Sequence, residues 1–367
     1  MVSRSTVPRA TALIDTYNHE CFIEQAILSV LEQDFPAADL EILVIDDGST
    51  DRTTDIVRKF GSRVRLIQKR NGGQASAFNT GIPQARGEIF AFLDGDDWWH
   101  RSRLSRIVDF FDSHSNVGVI GHAIHQVDGI EEKSFLTVPP TECEIGFDSV
   151  DGAALFRQMM CFFGTSRLAM RKHIALGVLP VPERIVIEAD EFLAIVGTAQ
   201  SRAALLAEPL TYYRLHAANH YQTRRPDERR LRRMLQSIDA LSSELPLRLA
   251  GSGVSRAAIG ALIDPLSNAA KRLKLRLNGG SPWDTYTVER AERRLWYSTA
   301  PLGYRIYAFA SLAAALLLPP RFYYRLRDRY ASSRLRAARG ILGEPVTASR
   351  IESVPAAAPA REPARTA

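Results

Sequence analysis

The sequence predicts an α/β protein with a mostly parallel sheet, helices on both faces of the sheet, and a C-terminal helical extension. Two observations support this prediction. Short apolar runs typical of strands alternate with helical patterns through the first hundred residues, and polar, acid-rich segments follow the strands. Strands that alternate with helices form parallel sheets, and such sheets bind ligands outside the carboxyl ends of their strands.

Four strands and three helices are predicted before residue 94. The first strand is followed by an amphipathic helix with Ile23, Ile27, Val30 and Leu31 on one face. The predicted strands are 10–15, 41–45, 64–68 and 89–93, and the later helices are 52–60 and 74–85. The order is β-α-β-α-β-α-β, which is the pattern of a parallel sheet.

Three carboxylates follow the fourth strand within four residues: Asp94, Asp96 and Asp97. Carboxylates so close in sequence repel one another unless a cation lies among them. Hard oxygen ligands suit Mg²⁺ or Mn²⁺, which bridge to the phosphates of nucleotides. The stretch therefore predicts a metal site, with a solvated Asp-rich turn as the alternative.

The other strands also end in polar residues. Asp15, the pair Asp46 and Asp47, and the turn at Asn71 each follow a predicted strand, so we expect them at the same edge of the sheet as Asp94. No GxGxxG follows the first strand and no GxxxxGK[ST] occurs, which argues against a dinucleotide oxidoreductase and a P-loop NTPase. The polar residues at this edge of the sheet are consistent with binding of a nucleotide in a site that has no phosphate-binding loop.

Four segments carry a family resemblance: TYNHECFIEQAILSVLEQDF, EILVIDDGSTDRT, NGGQASAFNTG and GEIFAFLDGDDWW. Their order and spacing, from residue 10 to about residue 106, resemble those of the family 2 glycosyltransferases, which have the GT-A fold. The resemblance implies transfer of a sugar from a nucleotide diphosphate sugar, with inversion at the anomeric carbon and a divalent metal.

The resemblance also implies roles for individual residues. Asp47 would contact the base of the nucleotide with Asp46 beside it, and Asp94 and Asp96 match the DxD pair that, with Asp97, holds metal and ribose. The remaining residues implied in the nucleotide pocket are Thr16, Tyr17, Asn18, Asn71, Gly72, Asn79 and Gly95.

Two positions depart from the family pattern. Asp15 replaces the proline usual before TYN, and Phe78 replaces the arginine usual before Asn79, which would supply a positive contact to the donor.

The general base is expected in IVIEADEFLAI, residues 185–195, at the start of a predicted helix. This segment resembles the ED motif, whose aspartate is the base, and Asp190 matches it with Ala189 in place of the usual glutamate. An acceptor hydroxyl must lose its proton as it attacks, so a carboxylate must lie within hydrogen-bond reach. Glu188 and Glu191 are the fallback candidates, and acids that interact with the helix dipole are the alternative interpretation.

His216 lies in LTYYRLHAAN, residues 210–219, which resembles a segment where a histidine approaches the diphosphate. The resemblance implies that His216 ligates the metal or donates to the leaving phosphate, with a structural histidine as the alternative.

The middle of the chain is predicted in less detail. We expect a strand at 117–122, a loop-rich stretch at 124–151 that sets acceptor specificity, and a strand within 158–170 whose apolar side chains lie in the core.

The residue composition changes in the C-terminal part of the chain. Arg-rich, Leu-spaced helices at 227–277 are expected to pack on the catalytic domain, with RRPDERRLRR as a solvated face. The uncharged residues 306–318 would span only about 20 Å as a helix, too short for a hydrocarbon core of about 30 Å. Seven arginines against one acid follow between positions 321 and 340. We therefore predict a peripheral membrane contact through 306–340, with a helix docked on the domain as the alternative.

The predicted division is a GT-A domain at 1–222, a helical extension at 223–300, the apolar and basic segment at 301–343 and a disordered tail at 344–367. The three cysteines, Cys21, Cys143 and Cys161, match neither a zinc site nor a disulfide framework. The N-terminus lacks the apolar core of a secretory signal, so a cytoplasmic protein, or one on the inner face of the membrane, is expected.

The predicted function is metal-dependent transfer of a sugar, with inversion, from a nucleotide diphosphate sugar to a hydroxyl of a saccharide or lipid-linked acceptor, in cell-surface polysaccharide or glycolipid assembly. The alternative is a non-catalytic scaffold that binds sugar nucleotides on the same fold. No nucleic-acid partner is expected, because no nucleic-acid-binding fold accompanies the basic block.

Overall fold

The protein is described by a computed structural model that covers residues 7–128, 133–216, 228–294, 302–331 and 353–354. Its framework is one mixed sheet. The strands are β1 (Ala10–Thr16), β2 (Leu40–Asp46), β3 (Arg65–Gln68), β4 (Ile89–Asp94), β5 (Trp98–Trp99), β6 (Val117–Asp128), β7 (Lys133–Thr137), β8 (Cys143–Ile145), β9 (Ala169–Arg171), β10 (Arg202–Leu215) and β11 (Ser353–Val354).

Helices cover both faces of the sheet and form the C-terminal part of the described chain. They are α1 (Ile23–Leu31), α2 (Thr53–Arg58), α3 (Gln74–Gly81), α4 (Arg103–Ser113), α5 (Val150–Met159), α6 (Lys172–Val178), α7 (Ala189–Gln200), α8 (Glu228–Leu249), α9 (Arg256–Asn278), α10 (Pro282–Arg294), α11 (Leu302–Leu317) and α12 (Pro320–Ala331).

The strand order is β11-β7-β6-β9-β4-β1-β2-β3, and β10 pairs with β6, β5 and β8. The first four long strands, β1 to β4, pair in parallel, as the sequence predicts, whereas β9 runs antiparallel between β4 and β6. The register puts Asp15 beside Asp94 and Thr16 beside Asp46. The predicted α/β fold with acidic strand ends at one edge is therefore confirmed.

The two faces of the sheet bury separate apolar clusters because side chains alternate along each strand. Leu13 packs on the face covered by α3 and α5 to α9, and its neighbours Ala12 and Ile14 pack on the face covered by α1, α2 and α4. The first cluster includes Leu241 and Leu262, so α8 and α9 share the core of the sheet.

A third, smaller cluster joins the end of α9 to α10, α11 and α12. Leu275, Val288, Ala315, Tyr323 and Tyr324 form its buried centre. Within the described ranges, no helix is both long and apolar enough to cross a membrane.

Several predicted boundaries are wrong in the middle of the chain. The stretch 124–151, predicted as loop-rich, contains the end of β6, all of β7 and β8, and the start of α5. The strand predicted within 158–170 is present only in part, because this range forms the end of α5, two short 3₁₀ turns and the start of β9. Both errors have the same cause: the strands are defined by pairing with distant segments, as β6 pairs with β10 along its length.

In the C-terminal half, the two predicted helices at 227–277 are present as α8 and α9. The predicted domain boundary at 222–223 lies outside the described residues. Of the tail predicted to be disordered, only 353–354 are described, and these two residues pair antiparallel with β7. The rest of the tail lies outside the described ranges.

Candidate active site

A cleft of about 870 Å³ opens at the carboxyl ends of β1, β2 and β4. The predicted site residues that line it are Thr16, Tyr17, Asp47, Asn71, Gly72, Asp94, Asp96 and Asp190, and the fallback candidates Glu188 and Glu191 line it as well. Five separate parts of the sequence therefore meet in one cavity. This is the arrangement expected for a ligand site in a parallel sheet.

An acidic cluster lies at the end of β4. Asp94, Asp96 and Asp97 each offer an oxygen within 4.8 Å of the other two. Burial raises the pKa of Asp97 to about 8, with the charge of Asp96 adding to the effect, and raises the pKa of Asp94 well above its usual range. One oxygen of Asp97 is buried without a hydrogen-bond partner. Burial and the neighbouring carboxylates thus disfavour the ionised forms of Asp94 and Asp97.

Asp15 adds a further carboxylate to this region. Burial, with the charges of Asp96 and Asp190, raises the pKa of Asp15 to about 8. One of its oxygens is buried without a hydrogen-bond partner. The departure from the family pattern at this position therefore adds a buried carboxyl group whose neutral, protonated form is favoured at neutral pH.

His216 contacts the cluster through Asp96. Its Nε2 lies 2.9 Å from Oδ2 of Asp96, and its ring packs on Phe22 with centroids 4.8 Å apart. Burial opposes ionisation of Asp96, but the hydrogen bond from His216 and the nearby charge of His19 outweigh it and lower the pKa of Asp96. His216 is not part of the three-oxygen cluster itself.

The segment that carries His216 also fixes the acidic loop. The backbone N–H of Arg214 donates to Oδ1 of Asp97 at 2.9 Å, and its Nε donates to the carbonyl oxygen of Asp96 at 2.9 Å. Trp98 stacks on Tyr212 with centroids 5.2 Å apart. Strand β10 therefore holds the loop after β4 in one conformation.

Asp190 begins α7 and is held by three donors. Its Oδ2 accepts from the backbone N–H of Thr165 at 2.8 Å and from the Thr165 hydroxyl at 3.1 Å, and its Oδ1 accepts from the N–H of Glu191 at 2.8 Å. Four lone-pair positions are available on a carboxylate, so one remains for a further donor. Its charge reaches the acids of the cluster, because it raises the pKa of both Asp15 and Asp94.

Gln74 links Asp190 to the rest of the site. Its Oε1 accepts from the backbone N–H of Ala189 at 3.1 Å, and its Nε2 donates to the Thr165 hydroxyl at 2.9 Å. The same amide nitrogen lies 3.4 Å from Oδ1 of Asp94. The sequence analysis did not predict Gln74 and Thr165 as site residues, although Gln74 directly follows the two glycines in NGGQASAFNTG.

The two fallback candidates have different environments. Glu191 is 8% exposed and forms an ion pair with Arg157. Glu188 precedes α7 in the left-handed region, with φ 65°, an unusual conformation for a residue other than glycine.

Asp47 organises the turn at Asn71. Its carboxylate accepts from the backbone N–H groups of Gly72 at 3.0 Å and Gly73 at 2.7 Å, and it is paired with Lys69. The end of β2 and the turn before α3 are therefore joined at the wall of the cleft.

Four residues that the resemblance implies in the nucleotide pocket do not line the cleft. Asn79 uses both ends of its side-chain amide on the backbone of Val181, each at 2.8 Å. Asp46 is fully buried and accepts from the N–H of Ser49, while the side chain of Asn18 accepts from the N–H of Thr50 at 2.8 Å. The polar groups of these three side chains therefore form hydrogen bonds with the backbone of the protein.

Gly95 is the fourth of these residues, and its position requires a glycine. A Cβ at Gly95 would lie 2.6 Å from the hydroxyl of Thr16 and 2.8 Å from Nδ1 of His19. Phe78, at the position of the usual arginine, is fully buried against Phe92 in the core. It does not face the cleft.

The chain is also similar to known proteins. The sequence profile described as glycosyl transferase family 2 matches residues 11–175. An uncharacterised glycosyltransferase from Nostoc sp. is 34% identical over 223 residues, which are 59% of this chain and 67% of that protein. The uncharacterised glycosyltransferase EpsJ of Bacillus subtilis is 38% identical over 106 residues, 28% of this chain and 30% of that protein.

Staphylococcus aureus TarS, a poly(ribitol-phosphate) β-N-acetylglucosaminyltransferase, is 34% identical over 108 residues, 28% of this chain and 19% of that protein. The TarS 1–349 structure in complex with UDP-GlcNAc has a TM-score of 0.53 and 19% identity, and the match covers 90% of this chain and 92% of that chain. At this level of identity, the likeness shows the fold. The chain belongs to glycosyl transferase family 2: it is a glycosyltransferase with the GT-A fold.

Proposed function

We propose that this enzyme transfers a sugar, with inversion and with a divalent metal, from a nucleotide diphosphate sugar to a hydroxyl of a saccharide or lipid-linked acceptor. The observation that carries the proposal is that Asp190 lines the same cleft as Asp94 and Asp96, two members of the acidic cluster. A carboxylate positioned to take the proton of the acceptor hydroxyl fits a single displacement, in which the acceptor attacks from the face opposite the nucleotide.

The acidic cluster fits Mg²⁺ or Mn²⁺. Its donors are three carboxylates with oxygens within 4.8 Å of one another, and Asp97 has a buried oxygen without a partner. Carboxylate oxygen is the preferred ligand of these hard cations. Asp94, Asp96 and Asp97 would hold the metal, which neutralises charge on the departing diphosphate when bound. We assign His216 to the orientation of Asp96 rather than to the ligand set, because its Nε2 is hydrogen-bonded to that carboxylate.

Asp190 is the proposed general base. Three hydrogen bonds fix its carboxylate and leave one lone pair for the acceptor hydroxyl. Glu191 is a weaker candidate because Arg157 already neutralises it. Proton removal by a positioned carboxylate typically contributes about 10²–10⁴ to the rate.

The donor nucleotide would lie along Thr16, Tyr17, Asp47, Asn71 and Gly72, which form the wall of the cleft built by the first half of the chain. Tyr17 is 42% exposed, so its ring is available to a base or ribose. UDP is the first nucleotide to test, since the TarS structures of the same fold contain UDP and UDP-GlcNAc.

A lipid-linked acceptor would fit a peripheral membrane contact through α11 and α12. Ile306, Phe309 and Leu317 of α11 are 63%, 72% and 80% exposed, and Phe322 of α12 is 55% exposed. Exposed apolar side chains beside arginines are typical of helices that lie in the membrane interface. The other face of α11 packs in the third apolar cluster, through Ala315, so the helix can be docked on the domain and still present these side chains.

The test of the proposed function is a thermal-shift screen with UDP-, GDP- and dTDP-sugars, with and without Mn²⁺. A ligand that binds only the folded state raises the Tm. We expect one donor to raise the Tm only with metal, and the shift to disappear in Asp96→Asn. A shift of equal size in EDTA would contradict metal-dependent donor binding.

The alternative is a non-catalytic scaffold that binds sugar nucleotides. Its support is the departure from the family pattern at Phe78 and Ala189, but Phe78 lies in the core, and Ala189 donates its backbone N–H to Gln74. Neither departure therefore removes a group from the cleft wall. Slow, metal-dependent hydrolysis of the bound donor would exclude the scaffold, and binding without any hydrolysis or transfer would support it.

A further inference from the structure

We propose that the acceptor carries a phosphate group and that Arg167 and Arg233 bind it in the cleft. The inference rests on the proposed function, since it names the chemical class of the acceptor for the same site. It assigns a role to α8, whose arginines the sequence indicated only as a solvated face.

Arg167 lies in the 3₁₀ turn Thr165–Arg167, whose first residue holds Asp190. Its guanidinium carbon is 5.7 Å from the ring centroid of Tyr213, and its side chain packs so closely over Gly164 that a Cβ there would collide with it. The side chain is therefore held in place at the wall of the cleft.

The donor groups of Arg167 are not satisfied by the protein. Its Nε is buried and has no hydrogen-bond partner. Among the residues that the structure covers, no carboxylate lies within 4.0 Å of its guanidinium. A buried donor without an acceptor costs about 1–3 kcal/mol, so such groups usually bind a ligand or water. An anion in the cleft would supply the missing acceptor.

Arg233 reaches the same cleft from α8, together with Gln236 on the same helix. The helix is fixed against the segment that leads to Asp190, because the hydroxyl of Ser237 accepts from the backbone N–H of Ile187 at 3.1 Å. Its neighbour Arg232 does not line the cleft and is paired with Glu228 at 2.6 Å.

Two other basic residues near the site have carboxylate partners. Lys69 is paired with Asp47, and Arg157 is paired with Glu191. Arg167 and Arg233 thus stand out among the described cleft residues as arginines without an ion pair. Both come from the second half of the chain, which also supplies Asp190, so we place the anion on the acceptor rather than on the nucleotide.

The chemistry of the two side chains favours phosphate. A guanidinium group presents a planar fork of N–H donors that matches phosphate oxygens and forms two parallel hydrogen bonds. A phosphate monoester carries about −1.5 to −2 charges at pH 7, which two guanidinium groups would balance.

The experiment compares glycerol 3-phosphate with glycerol, which differ only in the phosphate group. Binding is measured by isothermal titration calorimetry to the full chain, both alone and saturated with Mg²⁺ and the nucleoside diphosphate found in the screen. The saturated sample keeps the phosphate probe out of the diphosphate site. The variants are Arg167→Gln and Arg233→Gln, and the matched control is Arg232→Gln on the adjacent position of α8.

We expect glycerol 3-phosphate, but not glycerol, to bind the saturated protein. Its affinity should fall at least about tenfold in Arg167→Gln and in Arg233→Gln, the loss expected when one charged hydrogen-bond partner is removed. Arg232→Gln should bind as the wild type does, and the affinity for nucleotide should be unchanged in all three variants.

Three results would overturn the proposal: equal binding of glycerol and glycerol 3-phosphate, equal loss in Arg232→Gln, or a loss of nucleotide affinity in Arg167→Gln, which would assign Arg167 to the donor. Arg233 is exposed, so Arg233→Gln should fold even if Arg167→Gln does not. Failure to bind any nucleotide would refute the proposed function. In that case, titration of glycerol 3-phosphate into the nucleotide-free variants still decides whether the two arginines bind phosphate.

Discussion

Replacement of Asp190 by asparagine tests the assignment of the base most directly. The change keeps the shape of the side chain and removes the charge. We expect transfer to fall about 10²–10⁴-fold, the usual contribution of a positioned general base. Donor affinity should change little, because Asp190 lies outside the group of residues assigned to the nucleotide.

The structure also gives the expected cost in stability. Oδ2 of Asp190 accepts two hydrogen bonds and Oδ1 accepts one, from Glu191. An asparagine would place its oxygen toward Thr165 and its NH₂ group toward the N–H of Glu191, so one hydrogen bond is lost and two donors face each other. The loss is about 1–3 kcal/mol, reduced by the removal of repulsion from the neighbouring acids. For a protein of this size, we expect a Tm lower by about 2–4 °C per kcal/mol.

The matched control is Glu191→Gln. It is also a carboxylate-to-amide change at the start of α7, and it disrupts the buried pair with Arg157, so it should lower the Tm as well. Glu191→Gln should nevertheless retain a transfer rate within about tenfold of the wild type, because we do not assign proton transfer to Glu191.

The assay measures initial rates of sugar transfer at saturating donor, with Tm and donor Kd determined for each variant. More than about a tenth of wild-type transfer in Asp190→Asn would refute the assignment. A large loss in Glu191→Gln, with a normal Tm, would transfer the role to Glu191, and Glu188→Gln would then be the next variant.

Three further predictions concern the charge, packing and surface of the molecule. The pKa values of Asp15 and Asp97 are raised to about 8, so the folded state keeps protons that the unfolded state loses above about pH 4; without metal, stability should therefore fall from pH 4 to pH 8. Mn²⁺ should raise the Tm more at pH 8 than at pH 6, and a constant shift in differential scanning fluorimetry would contradict this. Asn79→Ala should lower the free energy of unfolding by about 1–3 kcal/mol, because the amide hydrogen-bonds the backbone of Val181. The Kd of the nucleotide-sugar donor should not change. An unchanged denaturation midpoint together with weaker donor binding would instead show that Asn79 contacts the nucleotide. Phe309→Glu should weaken sedimentation with vesicles that contain anionic lipid and leave the Tm unchanged, since Phe309 is 72% exposed; equal binding to vesicles would exclude this face of α11.

The strain in the backbone is concentrated at the candidate site. Asn18 and Glu188 are the residues other than glycine with positive φ in the described ranges, at 56° and 65°. One belongs to the loop after β1 and the other precedes Asp190. Such conformations persist where the surrounding structure imposes them, and they are common at active sites. Here they fix the two segments that approach the cleft from opposite halves of the chain.

Much of the fold and part of the site were determined by local sequence. The alternation of strands and helices and the acids after β1, β2 and β4 were enough to predict a parallel sheet with one acidic edge, because both patterns depend on residues close together in the chain. The same local patterns indicated Asp94, Asp96 and Asp97 as a cluster, as found.

Tertiary structure decided what depends on contacts between distant segments. Asp190 is oriented by Thr165, and Gln74 reaches Ala189 from 115 positions earlier in the sequence. The sequence pattern predicts that Asn79 contacts the nucleotide-sugar donor, but its side chain hydrogen-bonds the backbone of Val181, 102 residues away. Arg233 lies in a run of arginines that looks solvated, yet packing of α8 brings it to the cleft. Sequence periodicity specifies the face that a residue occupies on its own element, whereas the partner of that face is set only when the whole chain packs.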